Sequence, residues 1–149
     1  MHAPFPETLS TEWVPPILFG RDAESEYLDR LLARPVDAGV PHAAVTGPKG
    51  SGSSVLARAA AGRWVRSSAS SERGRVVAVP VRWCHGTVGV ASALLRAFDE
   101  GFGGRGFSVA EIMAGFLRRL LRDGRRVAIL LDDAGSAGPE LRPILRALL

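Results

Sequence analysis

The sequence predicts an α/β fold, with a central parallel sheet between two helical layers. Three observations predict it. Short apolar, β-branched stretches ("VPHAAVT", "RVVAVPVRW" and "RRVAILLDD") alternate with helical stretches along the chain, the pattern of parallel strands joined by crossover helices. A glycine-rich turn, "GPKGSGSS", joins the first such stretch to a helix. The last stretch has five apolar residues in a row and ends in two acids, as expected of a strand buried on both faces.

The elements follow in order. Residues 1–20 are Pro-rich and contain Trp13 and Phe19; they read as an extended lead-in laid over the domain surface. "RDAESEYLDRLLARP" reads as a helix. Asp22 can cap it, its acids sit early, and Leu28, Leu31 and Leu32 form a stripe that stops before Pro35. "VPHAAVT" reads as a buried strand near 42–46, and "SVLARAAAGRWVRS" as the helix after the turn. "SSASSERG" is a polar loop. "RVVAVPVRW" is the second strand, at 75–82, and "TVGVASALLRAF" the next helix. "SVAEIMAGFLRRLLRDG" has Ser108 and Glu111 in capping-box spacing and Gly124 as its stop. The acidic strand occupies 126–132, and a final helix begins at Pro139. There are no internal repeats.

At 149 residues the chain is one domain's worth, long enough for a single core. Hydrophobic residues make up 46%, which argues against a disordered chain. No apolar run approaches the ~20 residues that cross a bilayer. "MHAPFPETLS" lacks the basic and apolar regions of a signal peptide. Cys84 is the only cysteine, so no intrachain disulfide forms. A cytoplasmic protein without a membrane partner is expected. The net charge of +4 comes almost entirely from arginine, Lys49 being the only lysine. Such a bias fits a GC-rich genome and a solvated basic surface; it permits nucleic-acid contact without requiring it.

The glycine-rich turn follows the phosphate-binding pattern G-x-x-x-x-G-K-[ST] in all but one place. It runs Gly47, Pro48, Lys49, Gly50, Ser51, Gly52, Ser53, Ser54. Glycines let successive backbone N–H groups turn inward around phosphate oxygens, and the following helix adds its positive end. These eight residues are the expected binding site for ATP or ADP with Mg²⁺, and Ser54 holds the position whose hydroxyl ligates the metal. Ser53 stands where the lysine belongs; it is short, neutral and unable to reach the β- and γ-phosphates. Lys49 is a candidate substitute from inside the loop. The other reading is a Gly/Ser-rich turn that binds nothing. Asp132 is the expected acid that orients Mg²⁺ through its water shell, and Asp133 the residue that polarises the attacking water, one methylene shorter than the usual glutamate. The alternative is two acids capping the next turn.

Cys84 and His85 are adjacent, but two residues cannot close a four-ligand zinc site, and sequence neighbours rarely form a nucleophile pair. Packing is the simpler reading. The pairs Arg118/Arg119 and Arg125/Arg126 read as a solvated helix face and the lead into a strand rather than as phosphate contacts. Trp64 and Trp83 read as packing residues.

With loop, acidic strand and flanks in place, the chain resembles the AAA+ ATPases of the archaeal origin-recognition, Orc/Cdc-type, initiators. "VPPILFGRDAESEYL" looks like that family's lead-in, and "GPKGSGSS" like its phosphate loop except at Lys49 and Ser53. "VRWCHGTVGVASALLRAFDEGFGGRGFSVAEI" is similar to its second strand, Thr-started helix and "RGFS-x-x-E" turn; "VAILLDDAG" stands where it has a strand ending Asp-Glu. The resemblance implies a three-layer P-loop NTPase, cut after the Walker B strand. The lead-in is 1–20 and the partial ATPase domain 21–149. It implies a role in DNA replication, with DNA reached through a winged-helix domain that the family carries further on, after a sensor strand, an arginine finger and a helical lid. Ser53 and Asp133 depart from the pattern, so weak or defective ATP hydrolysis is expected. Exposed apolar surface near 126–149 predicts self-association. "LFGRDAE" and "GRRVAILLDDA" are also similar to STAND-class signalling ATPases, including transcription regulators. A third reading is a non-catalytic interaction module that kept the fold and lost the chemistry.

Overall fold

A computed structural model describes residues 7–8, 18–35, 40–67 and 74–149. Trp13 and most of the "SSASSERG" loop lie outside the described residues. The described chain mixes helices and strands in the order β1 (Glu7–Thr8), α1 (Asp22–Leu32), α2 (Ser53–Ser67), β2 (Arg75–Pro80), α3 (Gly86–Arg96), α4 (Val109–Asp123), β3 (Val127–Asp132) and α5 (Arg142–Leu148). Single 3-10 turns occupy Val81–Trp83, Ala134–Ser136 and Gly138–Leu141.

β2 and β3 pair in parallel, with Arg75 opposite Val127 and Pro80 opposite Asp132. β2 is the central strand because β1 pairs antiparallel on its other side, Glu7 opposite Ala78 and Thr8 opposite Val77. The lead-in therefore contributes a short strand, and Phe19 near its end is 91% exposed. β2 ends at Pro80, two residues short of expectation; proline brings no N–H to continue a ladder.

The side chains of β2 alternate between two cores, as a strand's period of two requires. Val77 and Val79 pack with Leu94 of α3, Phe116 of α4 and Ile144 of α5. Val76 packs with Ala61, Trp64 and Val65 of α2. A third cluster joins Leu28 of α1 to Leu56 and Ala60 of α2. Parallel β2 and β3 with helices between them in sequence are compatible with the α/β class, although the antiparallel β1 makes the sheet mixed.

The expected strand near 42–46 is not formed: residues 40–47 have no regular structure. Val45 packs against the α1–α2 cluster instead of entering the sheet. Ala43 and Ala44 are exposed, so the segment is apolar in composition without being buried. The cap of α1 also differs. Its N-cap is Arg21 with no side-chain cap bond, and Asp22 is the first helical residue, favoured there by the helix dipole. The last helix is split, with Pro139 inside a 3-10 turn and α5 beginning at Arg142.

α4 forms as its sequence dictates. Ser108 Oγ accepts the Glu111 N–H at 3.3 Å, and Glu111 Oε2 accepts the Ser108 N–H at 2.8 Å, a complete capping box. Gly124 ends the helix at φ 65°. Ile112, Met113 and Phe116 line its buried face.

Candidate functional site

The glycine-rich turn is built so that each of its glycines is required. Gly50 and Gly52 have φ of 86° and 79°, the region that side chains disfavour. Gly47 is needed for space: a Cβ there would lie 2.4 Å from Ser51 Oγ and 3.1 Å from Ser51 Cβ. Ser51 folds back over the start of the loop, and its N–H donates to the Pro48 carbonyl at 3.0 Å. Ser51 Oγ is buried and has no hydrogen-bond partner among the described residues. Lys49 is exposed on the turn.

α2 begins directly after the turn. The Gly52 carbonyl accepts the Leu56 N–H at 2.8 Å, so Ser53 and Ser54 are the first two helical residues. First-turn N–H groups lack intrahelical acceptors and carry the positive end of the helix dipole. The first turn of α2 holds no acid of its own.

The acidic strand reaches the same place. Ser54 Oγ donates to Asp132 Oδ1 at 2.6 Å, joining residues 78 apart in sequence. One turn further along α2, on the same face, Arg58 Nη2 donates to Asp132 Oδ2 at 3.2 Å. Asp132 stands at the carboxyl end of β3, where parallel sheets present ligand sites. Asp133 is set differently. It adopts φ 57°, the only non-glycine positive φ among the described residues. Its carboxylate lies 3.7 Å from Arg82 Nε, just past β2. Its carbonyl accepts the N–H and the hydroxyl of Ser136, at 3.0 and 2.8 Å.

The structure thus brings Ser54 and Asp132 together, with residues 47–53 beside them, and places Asp133 on Arg82. Two site-lining arginines are not evident from the sequence. Arg58 is one. The other is Arg21, whose Nη2 donates to the Ser51 carbonyl while Nη1 meets Glu24 Oε1 at 3.2 Å. Nothing local marked Arg58 as reaching Asp132 or Arg21 as reaching the loop.

The arrangement gathers a glycine turn, the start of α2, the Asp132 carboxylate and the Arg58 guanidinium at one end of the sheet. Mg²⁺ prefers octahedral oxygen ligands and usually binds through one or two carboxylates plus phosphate and water. Ser54 and Asp132 offer such oxygens, but a guanidinium already shares the Asp132 carboxylate.

The other conspicuous residues are structural. Cys84 packs at the edge of the main core, its Sγ 3.6 Å from the Pro80 carbonyl. Burial pushes its thiol above the usual range. His85 is exposed. Trp64 is buried against Gly74, where a Cβ would fall 2.5 Å from the ring. Trp83 is exposed beneath the Arg82 guanidinium, 4.8 Å away. Arg119 pairs with Asp99 at 2.8 Å, and Arg126 donates to the carbonyls of Leu32 and Arg34 at 3.2 and 2.7 Å. Among the described residues no helix is long and apolar enough to cross a membrane.

Comparison of the chain with protein-family models, curated proteins and solved structures finds no match.

Proposed function

We propose that the chain is a nucleotide-binding domain with a three-layer P-loop fold, holding the phosphates of ATP or ADP at residues 47–54. It binds them weakly and does not turn ATP over usefully by itself. The observation that carries this reading is the 2.6 Å contact of Ser54 with Asp132. A glycine turn that served only to connect elements would not require an acidic strand end at its last serine. The division of β2 between two cores supports the layered fold, since it gives the strand helical neighbours of both kinds, α2 through Val76 and α3 with α4 through Val77 and Val79.

Weak binding follows from Ser53. One charge-assisted hydrogen bond to a charged group is worth on the order of 1.5–3 kcal/mol, or about ten- to a hundredfold in affinity. Hydrolysis loses more, because charge gathers in the transition state where the lysine would stand. Within this reading Asp133 is the water-polarising residue, and its pairing with Arg82 weakens it for that role.

Kinship with origin-recognition initiators, and with it a role in DNA replication, belongs to the same proposal. Its support is the "RGFS" segment, whose Ser108 and Glu111 form the capping box of α4. Self-association belongs to it too.

Calorimetric titration with ADP and with ATP tests the nucleotide reading. Saturable binding is expected, and its loss on Gly52→Val, which fills the cradle at a positive φ, is the control for site. Absence of binding at millimolar nucleotide rejects the reading. Coding sequence beyond Leu149 tests the kinship: a winged-helix domain supports an initiator, helical repeats or a transcription domain a signalling ATPase.

A further inference from the structure

Both acids at the end of β3 are paired with arginines, and the two arginines come from different elements. Arg58 of α2 lies 3.2 Å from Asp132 Oδ2, and Arg82, just past β2, lies 3.7 Å from Asp133 Oδ2. The first pair is the more sheltered, its side chains 28% and 17% exposed. The Asp132 carboxylate is engaged on both oxygens, Oδ1 by the Ser54 hydroxyl and Oδ2 by the guanidinium.

We infer that Arg58 takes the place of a divalent cation at this site: Asp132 is committed to Arg58 and Ser54, and the turn binds polyphosphate groups without Mg²⁺. The inference rests on the nucleotide reading above and adds the ionic form of the ligand to it.

The physical argument is competition for one carboxylate. A guanidinium is always charged and bonds a carboxylate with directed N–H groups. Arg58 is carried by the same helix as Ser54, so folding α2 onto β3 delivers it to Asp132. A Mg²⁺ ion entering here displaces it, or sits as a double positive charge beside a single one at a few ångströms. Asp133, the nearest further acid in sequence, faces Arg82 at 3.7 Å. Neutralisation of the phosphates falls instead to the backbone N–H groups of the turn, the first-turn N–H groups of α2 and Lys49, while Arg58 offsets the charge of Asp132 beside them.

The test is a titration of the full chain with ADP and with ATP, in excess Mg²⁺ and again in excess EDTA. It is repeated on Arg58→Met, which keeps the aliphatic stem, and on Arg58→Lys, which keeps the charge. Kd for the unmodified chain should agree within about twofold between the two conditions. Arg58→Met should gain a Mg²⁺ dependence of about tenfold or more, and Arg58→Lys should resemble the unmodified chain. Tighter binding of the unmodified chain in Mg²⁺, by about tenfold, overturns the inference and leaves the nucleotide reading standing. No binding in either condition overturns both. Equal binding in both conditions by Arg58→Met overturns the role of Arg58. Should Arg58→Met fail to fold by circular dichroism, Mn²⁺ paramagnetic resonance on the unmodified chain with ADP decides. Retention of the free-ion signal beyond that removed by ADP alone supports the inference, and capture of a protein-bound ion overturns it.

Discussion

Gly47 and Ser51 occupy the same space: any side chain on the first would meet the hydroxyl of the second at 2.4 Å. Gly47→Ala therefore requires the Ser51 side chain to move. It should lower stability by about 1 kcal/mol, the ordinary cost of a point substitution, and weaken nucleotide binding. Ser51→Gly removes the obstructing side chain, so Gly47→Ala/Ser51→Gly should recover much of the stability. Urea denaturation of both singles and the double measures the coupling. Simple additivity would show that the two residues do not compete.

Ser53→Lys restores the missing charge at the start of α2. Nucleotide affinity should rise by about ten- to a hundredfold. Turnover should stay far below the ~1 s⁻¹ of ordinary enzymes, because Asp133 remains on Arg82. Calorimetry and a coupled phosphate-release assay read the two effects separately. A variant that binds no better than the unmodified chain would mean the lysine position does not face the phosphates.

Phe116 is fully buried in the main core, its ring edge-on to Phe98 with centroids 5.6 Å apart. Phe116→Ala should cost about 3–5 kcal/mol, a large share of the roughly 5–15 kcal/mol that holds a domain folded. Denaturation midpoints should fall with little change in slope. A loss below about 1 kcal/mol would mean that this site collapses around the cavity.

The capping box of α4 makes a prediction about acid. The Ser108 hydroxyl, and after it the Ser108 N–H, bond the Glu111 carboxylate and hold it below its ordinary value of 4.5. A carboxylate depressed in the folded state stabilises it fully above its unfolded pKa; that contribution fades as pH falls through the folded value. Glu111→Gln should therefore melt lower than the unmodified chain at neutral pH, and the gap should narrow below about pH 4.5. Thermal melts across the acid range check this. A gap that stays constant with pH would mean that Glu111 acts without its charge.

β3 is partnered by β2 on one side only among the described residues, and beyond it Leu145 and Leu149 are 41% and 62% exposed. An open strand edge beside apolar surface invites a second chain. Sedimentation should show mass rising with concentration. A single monomer mass throughout would remove self-association from the proposal.

The fold was legible where several signals agreed. α4 had a capping box, an apolar stripe and a terminal glycine, and each appears in its place. The strand expected at 126–132 forms at 127–132, but every residue in it is only half-buried, so burial on both faces does not hold. "VPHAAVT" had only composition, and two alanines and a histidine do not decide between a sheet and the surface of a helical pair; Val45 chose the latter. The meeting of Ser54 with Asp132 was readable because the phosphate-loop pattern implies an acid from a distant strand. The arginines were not. Arg58 and Arg82 are two among many arginines, and an ion pair between elements distant in sequence leaves no periodicity behind.

The pairing of Glu7–Thr8 with β2 has a consequence in time. It encloses α1, the glycine-rich turn and α2 in one long covalent loop, closed by two residue pairs. Closing a loop of that length costs entropy that grows only slowly with size but is already substantial, and two pairs return little against it. The six-residue register of β2 with β3 is the stronger association. Assembly therefore runs against synthesis. β1 is made before β2 and β3, and is expected to dock last on β2 as an independently opening unit.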